Sequence, residues 1–182
     1  MTSPINQARH NIPDAAIDRM TRRFFANAFD CIKHRLSDAA LMVGGEPNLF
    51  DLILKHGEPW LSRPGASVDL KLPEFCFSNV QDLIAERPEL GLVYCEGFAI
   101  RSGYNAPTHH AWAVSPAFYA VDPTWGHINQ AVYFGVAFSR RAFAHWAQVP
   151  FLRSGSLFKT GHGLSTALLQ HLVAYGTTEP IG

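Results

Sequence analysis

The sequence predicts one α+β domain over residues 1–182, in which helices pack on an antiparallel β-sheet. Apolar residues at helical spacing dominate the two ends of the chain. The middle holds short runs rich in β-branched and aromatic residues, separated by Pro, Gly and Ser. With 47% hydrophobic and 16% charged residues, the chain is long and apolar enough to bury one core.

A helical N-terminal layer is expected over about residues 13–66. Apolar residues at helical spacing from Pro13 to about Leu36 predict a long amphipathic helix, and a short helix is expected from Pro47 to about His56. The stretch from Gly57 to Pro73 is rich in Pro and Gly. It is therefore expected to be an irregular connector beside a cleft.

The central part, about residues 67–138, holds a short helix and four strand-like runs. The helix begins at Cys76 and stops before Pro88. The strands are expected over 92–100, 109–114, 118–122 and 131–136. C-terminal helices are expected over about 139–176, first from Ser139 to Gln148 and then from Gly161 to Tyr175.

Cys76 is the candidate nucleophile. A thiol reacts as its thiolate, and the unpaired N–H groups and partial positive charge at a helix start stabilise that anion. The segment Leu72 to Phe75 is expected to be an extended approach, which places Cys76 in the first helical turn. A buried, inert cysteine at this position is the structural alternative.

The predicted hairpin supplies a base and a carboxylate. If Ser115-Pro116-Ala117 forms a three-residue loop, Val114 faces Phe118 and His110 lies opposite Asp122. The carboxylate would then accept the imidazole N–H and orient the base, as the third member of a catalytic triad does.

His109 is the competing base. Its side chain points to the opposite face of the strand, so the hairpin register decides which of the two histidines meets Asp122. A loop one residue shorter would bring His109 opposite Asp122 instead. Two-residue hairpin turns need positive φ, which Pro116 cannot adopt, so the turn chemistry favours His110.

His110-Ala111-Trp112 followed by Val121-Asp122-Pro123-Thr124-Trp125 resembles the histidine and aspartate segments of transglutaminase-like cysteine enzymes, within the wider papain-like group. In that family the cysteine opens a helix, and the histidine and aspartate lie on adjacent antiparallel strands. The resemblance covers residues 70–136 and implies that Cys76, His110 and Asp122 are nucleophile, base and orienting carboxylate.

The expected chemistry is acyl transfer through a thioester on an amide-type substrate: a peptide, a protein glutamine or a small amide. Peptide or glutamine hydrolysis, deamidation and transamidation all fit, and no cofactor is expected. The Cys-Phe pair at positions 76 and 77 and the order Cys, His, Asp are more distantly similar to arylamine N-acetyltransferases. This resemblance makes a thioester-dependent amine N-acyltransferase one alternative. A non-catalytic binding module on the same fold is another.

The chain departs from both families near the cysteine. Pro73-Glu74-Phe75 replaces the Arg-Gly-Gly lead-in of the acetyltransferases, and the glutamine that papain-like proteases use as an oxyanion donor is absent nearby. Beside the backbone N–H of Cys76, Ser78 and Asn79 are the candidate donors. Trp112 and Trp125 are candidates to wall the site, and core packing is the alternative for each.

Composition excludes several function classes. A formal net charge of zero and a pI near 7.1 give no basic field for nucleic acid or anionic lipid. The first residues lack the pattern of a signal peptide, and no apolar run approaches a membrane span, so a cytoplasmic protein is expected. Secretion without a cleaved signal is the alternative.

The remaining cysteines and the histidines predict neither a disulfide framework nor a metal site. Cys31 and Cys95 lie in apolar helical and strand patterns and are expected to be core residues. The three cysteines are widely spaced, and the nine histidines contain no His-Glu-x-x-His pattern.

Overall fold

The computed structural model describes residues 19–43, 49–62, 68–125, 131–138 and Phe143. These residues form three helices and a five-stranded antiparallel sheet, so the predicted α+β class is confirmed. In chain order the elements are α1 (Arg19–Val43), α2 (Leu49–His56), β1 (Glu58–Leu61), α3 (Cys76–Glu86), a 3-10 turn (Pro88–Leu90), β2 (Val93–Arg101), β3 (Thr108–Val114), β4 (Ala120–Val121) and β5 (Ala131–Ala137). Apart from Phe143, the predicted C-terminal helices lie outside the described residues.

The sheet has the order β1-β5-β2-β3-β4 and is curled. Ser62, directly after β1, forms an isolated bridge with Ala120 of β4, which brings the two edges of the sheet together. At the centre of the sheet Gly97 pairs with Gly135. A Cβ on Gly135 would lie 2.3 Å from the carbonyl oxygen of Glu96 and 2.7 Å from the Trp112 ring, so the close approach of the strands requires glycine there.

The two faces of the sheet bury separate apolar clusters. On the helix-covered face, residues of α1, α2 and α3 pack against the strands; the cluster includes Ile32, Leu36, Leu52, Ile53, Val80, Leu83, Tyr94, Val132, Phe134 and Val136. The inner face of the curl holds a cluster that includes Trp60, Cys95, Ala99, Trp112 and Tyr133. Because side chains alternate along a strand, residues of one parity share each face.

The N-terminal predictions are correct in type and differ in extent. Helix α1 continues to Val43, and its predicted start at Pro13 lies outside the described residues. The expectation of an irregular connector from Gly57 to Pro73 is wrong for Glu58–Leu61, which forms β1 and pairs with β5. Pro59 has no N–H to donate, but β1 is the first strand in the sheet order and an edge strand tolerates proline.

The predicted hairpin register is wrong by two residues. The turn is Ser115 to Phe118, closed by a bond from the Phe118 N–H to the Ser115 carbonyl (2.8 Å), and Phe118 has a φ of 61°. The Ser115 N–H donates to the Tyr119 carbonyl (3.1 Å), so the loop has the predicted three residues but begins one residue later. Val114 consequently pairs with Ala120 instead of Phe118.

None of the helices in the described ranges combines the length and apolarity needed to cross a bilayer.

Candidate active site

Asp122 lies just past the end of β4, and four hydrogen bonds fix its carboxylate. Oδ1 accepts the backbone N–H groups of Thr124 (2.8 Å) and Trp125 (3.1 Å). Oδ2 accepts the Tyr133 hydroxyl (3.0 Å) and faces His110 Nε2 at 2.7 Å. An aspartate that binds the backbone two and three residues ahead organises its own turn, so the Asp-Pro-Thr-Trp sequence holds the carboxylate in place.

His110 lies on β3, with its side chain 3% exposed. Its ring stacks on Trp125 with centroids 4.0 Å apart and an angle of 16° between the planes. Burial lowers the pKa of His110, but the charge and hydrogen bond of Asp122, followed by the hydrogen bond and charge of Cys76, outweigh it and raise this pKa to about 9. The imidazole is therefore protonated at neutral pH.

Cys76 is buried at 8% exposure and is the first residue of α3. The Cys76 thiol lies beside the His110 side chain, and its hydrogen bonding and charge contribute to the raised pKa of that imidazole. Because Asp122 occupies Nε2 of that imidazole, the remaining ring nitrogen, Nδ1, is the one available to the sulfur. The structure thus joins the three predicted residues in one series, from the carboxylate through the imidazole to the thiol.

His110 and Asp122 lie on one face of the sheet, as predicted, although the predicted register is wrong. The reason is that the register error is an even number of residues. The observed pairing of Ala113 with Val121, extended by one residue, sets Asp122 opposite Trp112 and leaves His110 on the diagonal. A shift of two residues keeps every side chain on its face of the sheet, and diagonal neighbours lie within reach of long side chains.

The segment before α3 is tied to the Asp122 turn. The Lys71 N–H donates to the Pro123 carbonyl (2.8 Å), and the Asn79 side-chain amide donates to the Leu72 carbonyl (2.7 Å) and to Thr124 Oγ1 (3.0 Å). Asn79 lies one helical turn after Cys76. These bonds set the start of α3 against the loop that carries the carboxylate.

The two predicted side-chain oxyanion donors are otherwise engaged. Both amide hydrogens of Asn79 are used in the bonds just described, and the Ser78 hydroxyl donates to the Phe75 carbonyl (3.2 Å). The first intrahelical bond of α3 runs from the Asn79 N–H to the Phe75 carbonyl, and no side chain caps this helix. The backbone N–H groups at positions 76–78 therefore have no intrahelical acceptor.

The two candidate wall residues occupy different places. Trp125 covers one face of the His110 ring. Trp112 is fully buried in the inner-face cluster, with its ring centroid 5.0 Å from Tyr133 and 5.9 Å from Trp60, and its indole N–H has no hydrogen-bond partner among the described residues.

The segment Leu72 to Phe75 is not extended as expected. The Phe75 N–H donates to the Leu72 carbonyl at 3.3 Å, closing a turn over Pro73 and Glu74. This turn presents Cys76 at the start of its helix.

His109 forms a second histidine–carboxylate pair on the helix-covered face. Its Nε2 lies 2.9 Å from Oε1 of Glu96, which is fully buried, and the Tyr94 hydroxyl donates to Oε2 of the same carboxylate (2.9 Å). The imidazole lies between the rings of Phe77 (5.1 Å) and Phe98 (5.4 Å). Sequence reasoning found this histidine but not its partner.

The other two thiols lie in different surroundings. Cys95 is fully buried, and burial followed by the charge of Glu96 raises its pKa well above the ordinary thiol value. Cys31 is partly exposed and free, with Sγ 3.9 Å from the Asn105 carbonyl oxygen. Within the described ranges no three His, Cys, Asp or Glu side chains gather as metal ligands.

Tyr133 is a site residue that sequence reasoning missed. It was expected only as part of a strand, and it becomes the second side-chain donor to Asp122 because its ring lies on the inner face of the curled sheet beside the His110 and Trp125 rings. A groove of about 380 Å³ lies elsewhere, on the helix-covered side, and contains none of the triad; it is lined by Arg35, Leu36, Ala39, Phe50, Phe98, Ala106 and Pro107.

Comparisons of the chain with protein-family models, with curated proteins and with solved structures gave no match. The functional assignment consequently depends on the geometry of the described residues.

Proposed function

We propose that the protein is a cysteine-dependent enzyme that transfers the acyl group of an amide substrate through a thioester on Cys76. The observation that carries this proposal is the buried series Asp122, His110 and Cys76. In it a carboxylate oxygen lies 2.7 Å from the imidazole, and the thiol lies beside that same imidazole and contributes to its raised pKa.

The reaction follows from the positions of the protons. His110 is protonated at neutral pH, so Cys76 acts as the thiolate paired with this imidazolium, and that thiolate attacks the carbonyl carbon of the amide. As the carbon–nitrogen bond breaks, the imidazolium gives its proton to the departing amine and a thioester remains. Water or a second amine then attacks the thioester with neutral His110 as base, and the sulfur–carbon bond breaks to restore the thiolate and the imidazolium.

The start of α3 supports the thiolate and the oxyanion. The N–H groups at positions 76–78 carry the partial positive charge of a helix N-terminus and have no intrahelical acceptor. The amide of Cys76 is the nearest donor for the oxygen of the tetrahedral intermediate. A second backbone amide of this turn takes the place that Ser78 and Asn79 were expected to fill.

The arrangement also fits the papain-like and transglutaminase-like resemblance of the sequence. A helix that begins with the cysteine packs on β2 and β3, the histidine lies on β3, and the aspartate follows the adjacent antiparallel strand β4. The likeness concerns the order and placement of three residues and two element types. Within this proposal it supports amide hydrolysis, deamidation or transamidation.

An exposed apolar rim beside Cys76 favours a peptide substrate over a small amide. Leu70, Leu72 and Phe75 are 62%, 68% and 53% exposed, and they precede a nucleophile that is itself buried. Apolar side chains grouped at the mouth of a site are typical of surfaces that bind a partner chain.

The test compares the three thiols of the native protein. Iodoacetamide labelling near pH 7, followed by peptide mass spectrometry, gives a rate for each cysteine. Cys31 is more exposed than Cys76, so accessibility alone predicts that Cys31 reacts first. The proposal predicts that Cys76 reacts at least tenfold faster than Cys31 and that Cys95 reacts last.

The variants separate the triad from general accessibility. His110→Gln should reduce the Cys76 rate to or below that of Cys31, whereas the matched control Cys31→Ser should leave the Cys76 rate unchanged. Incubation of the wild type with a peptide mixture should yield an acylated Cys76 that hydroxylamine releases, and Cys76→Ala should yield none. Equal labelling of Cys31 and Cys76 in folded protein would contradict the proposal.

A further inference from the structure

Arg101 lies next to the triad on the same face of the sheet. It is the last residue of β2, and its parity matches Gly97, which pairs with His110 across β2 and β3. The side chain of Arg101 therefore extends from the inner face of the curl, at the end of the strand beyond the imidazole. The loop that follows it, from Ser102 to Ala106, is exposed.

Two aromatic rings hold the guanidinium of Arg101. Its carbon Cζ lies 4.0 Å from the centroid of the Tyr104 ring and 5.6 Å from that of Trp125, and Nη2 donates a hydrogen bond to the Tyr104 hydroxyl. The Tyr104 N–H donates in turn to the Arg101 carbonyl (3.1 Å), which fixes the loop. Such stacking orients a guanidinium without consuming its charge.

The orientation leaves most of the guanidinium N–H groups to a ligand. An arginine has five N–H donors, and Tyr104 accepts one. In the described part of the chain the ion pairs of lysine and arginine belong to Lys71 and Arg87, and no carboxylate pairs with Arg101. A planar guanidinium with an open edge binds a carboxylate by two parallel hydrogen bonds.

We propose that Arg101 is a specificity residue that binds a carboxylate of the substrate, so that the preferred substrates are peptides with an acidic group near the reacting amide. This inference rests on the proposed function, since it places the carboxylate relative to Cys76 and His110. The shared chemistry is a carboxylate, supplied either by an acidic side chain or by a C-terminus.

The distances set where that carboxylate lies. Trp125 stands 4.0 Å from His110 and 5.6 Å from Arg101, so the guanidinium carbon is less than about 10 Å from the imidazole. An extended chain advances about 3.3–3.6 Å per residue. The acidic group is therefore expected about two residues from the carbonyl that Cys76 attacks.

Three chloroacetyl dipeptides test the proposal on the full-length protein. They are chloroacetyl-Ala-Glu amide, chloroacetyl-Ala-Gln amide and chloroacetyl-Ala-Gln with a free C-terminus. In each, the Cys76 thiolate displaces chloride, forming a sulfur–carbon bond as the carbon–chlorine bond breaks. Intact-protein mass spectrometry measures the rate of labelling, and the ratio of an acidic probe to the neutral amide is the readout.

At low salt the better acidic probe should label wild-type Cys76 about ten- to hundredfold faster than the neutral probe, as expected for a charge-assisted pair. The faster of the two acidic probes identifies the source of the carboxylate. Arg101→Gln should bring the ratio close to one, Arg101→Lys should give an intermediate ratio because the paired hydrogen bonds are lost, and the surface control Arg35→Gln should keep the wild-type ratio.

A measurement on the wild type alone covers the case in which an Arg101 variant fails to fold. Raising the ionic strength to about 1 M shortens the screening length to about 3 Å and should lower the ratio. A ratio near one in low salt, or an unchanged ratio in Arg101→Gln, overturns the proposal. The neutral probe separates this failure from failure of the proposed function, because it labels Cys76 faster than Cys31 whenever the thiol is activated.

Discussion

Replacing Asp122 by Asn removes the charge that raises the pKa of His110 while keeping the size of the side chain. The amide oxygen of the variant can still accept the two backbone N–H groups that now bind Oδ1, those of Thr124 and Trp125. The imidazole loses the partner that contributes most to raising its pKa against burial, so this pKa falls from about 9. His110 of the variant then loses its proton at a lower pH than in the wild type.

The structure sets the size of the effect on stability. A histidine whose folded pKa lies above its unfolded value of 6.5 contributes stability that is fully present below pH 6.5 and is lost as pH rises through about 9. At about 1.4 kcal/mol per pH unit, the interval corresponds to about 3 kcal/mol. The side chain is almost fully buried, so solvent screening does not reduce this figure substantially.

Urea unfolding at pH 6, 7.5 and 9.5 measures the difference. The free energy of unfolding of the wild type should fall by about 3 kcal/mol across this range relative to Asp122→Asn, whose curve should be flat or rise slightly. A Cys76→Ser background removes thiol ionisation from the titration and also removes the thiol's share of the raised His110 pKa, so the fall in that background should be smaller than about 3 kcal/mol.

His110→Gln is the control, because it removes the titrating group and should flatten the curve in the same way. Adding Asp122→Asn to His110→Gln should then leave the pH dependence unchanged. If Asp122→Asn destabilises the protein equally at pH 6 and pH 9.5, the charge coupling between these two residues is refuted.

Three further predictions concern groups around the triad. Tyr133→Phe removes a hydroxyl donor to the triad carboxylate, so it should cost about 1 kcal/mol of stability. In a pH–rate profile the alkaline limb of activity, expected near the His110 pKa of about 9, should move to higher pH in this variant. Gly135→Ala should cost more than about 2 kcal/mol in urea unfolding because its Cβ meets backbone, whereas Gly103→Ala, whose Cβ meets no atom within 4 Å, should cost about 1 kcal/mol through its positive φ. Glu96→Gln breaks a buried pair and should cost about 3 kcal/mol, yet the order of cysteine labelling should stay as in the wild type.

The candidate triad could be predicted because face matters more than register. The sequence placed Val114 opposite Phe118, whereas the structure pairs Val114 with Ala120, and an error of two residues leaves His110 and Asp122 on one face. An error of one residue would have selected His109. Local patterns were thus enough to predict the face of the sheet on which each side chain lies. The cross-strand partner of each residue depended on the geometry of the turn.

The turn itself escaped prediction because its last residue breaks a local rule. Phe118 takes a φ of 61°, a conformation that glycine and asparagine adopt far more readily than phenylalanine. A bulky aromatic residue after Ser115-Pro116-Ala117 therefore indicated the start of the next strand. Strand β1 was missed for a related reason. Its four residues include Pro59 and give no strand pattern by themselves, and they form a strand because they pair with β5 at the edge of the sheet.

The contacts of Asp122 and Arg101 lay beyond the sequence because they join distant segments. Tyr133 donates to Asp122 across the curl of the sheet, and Trp125 reaches both His110 and Arg101. The spacing of residues along the chain does not predict these contacts, because they depend on strand order and on the close approach of strands at glycines.

Strand β3 carries two histidine–carboxylate pairs, and only the contacts around them distinguish a structural role from a chemical one. His109 with Glu96 lies beneath α3, clasped by two phenylalanine rings, where a buried charge must be paired for the helix to pack. His110 and Asp122 are likewise close, with Nε2 2.7 Å from Oδ2, but the thiol at the start of α3 also lies beside this imidazole. A carboxylate next to a histidine is thus weak evidence of catalysis by itself, and the thiol beside the imidazole is what makes the His110 pair a candidate for acyl transfer.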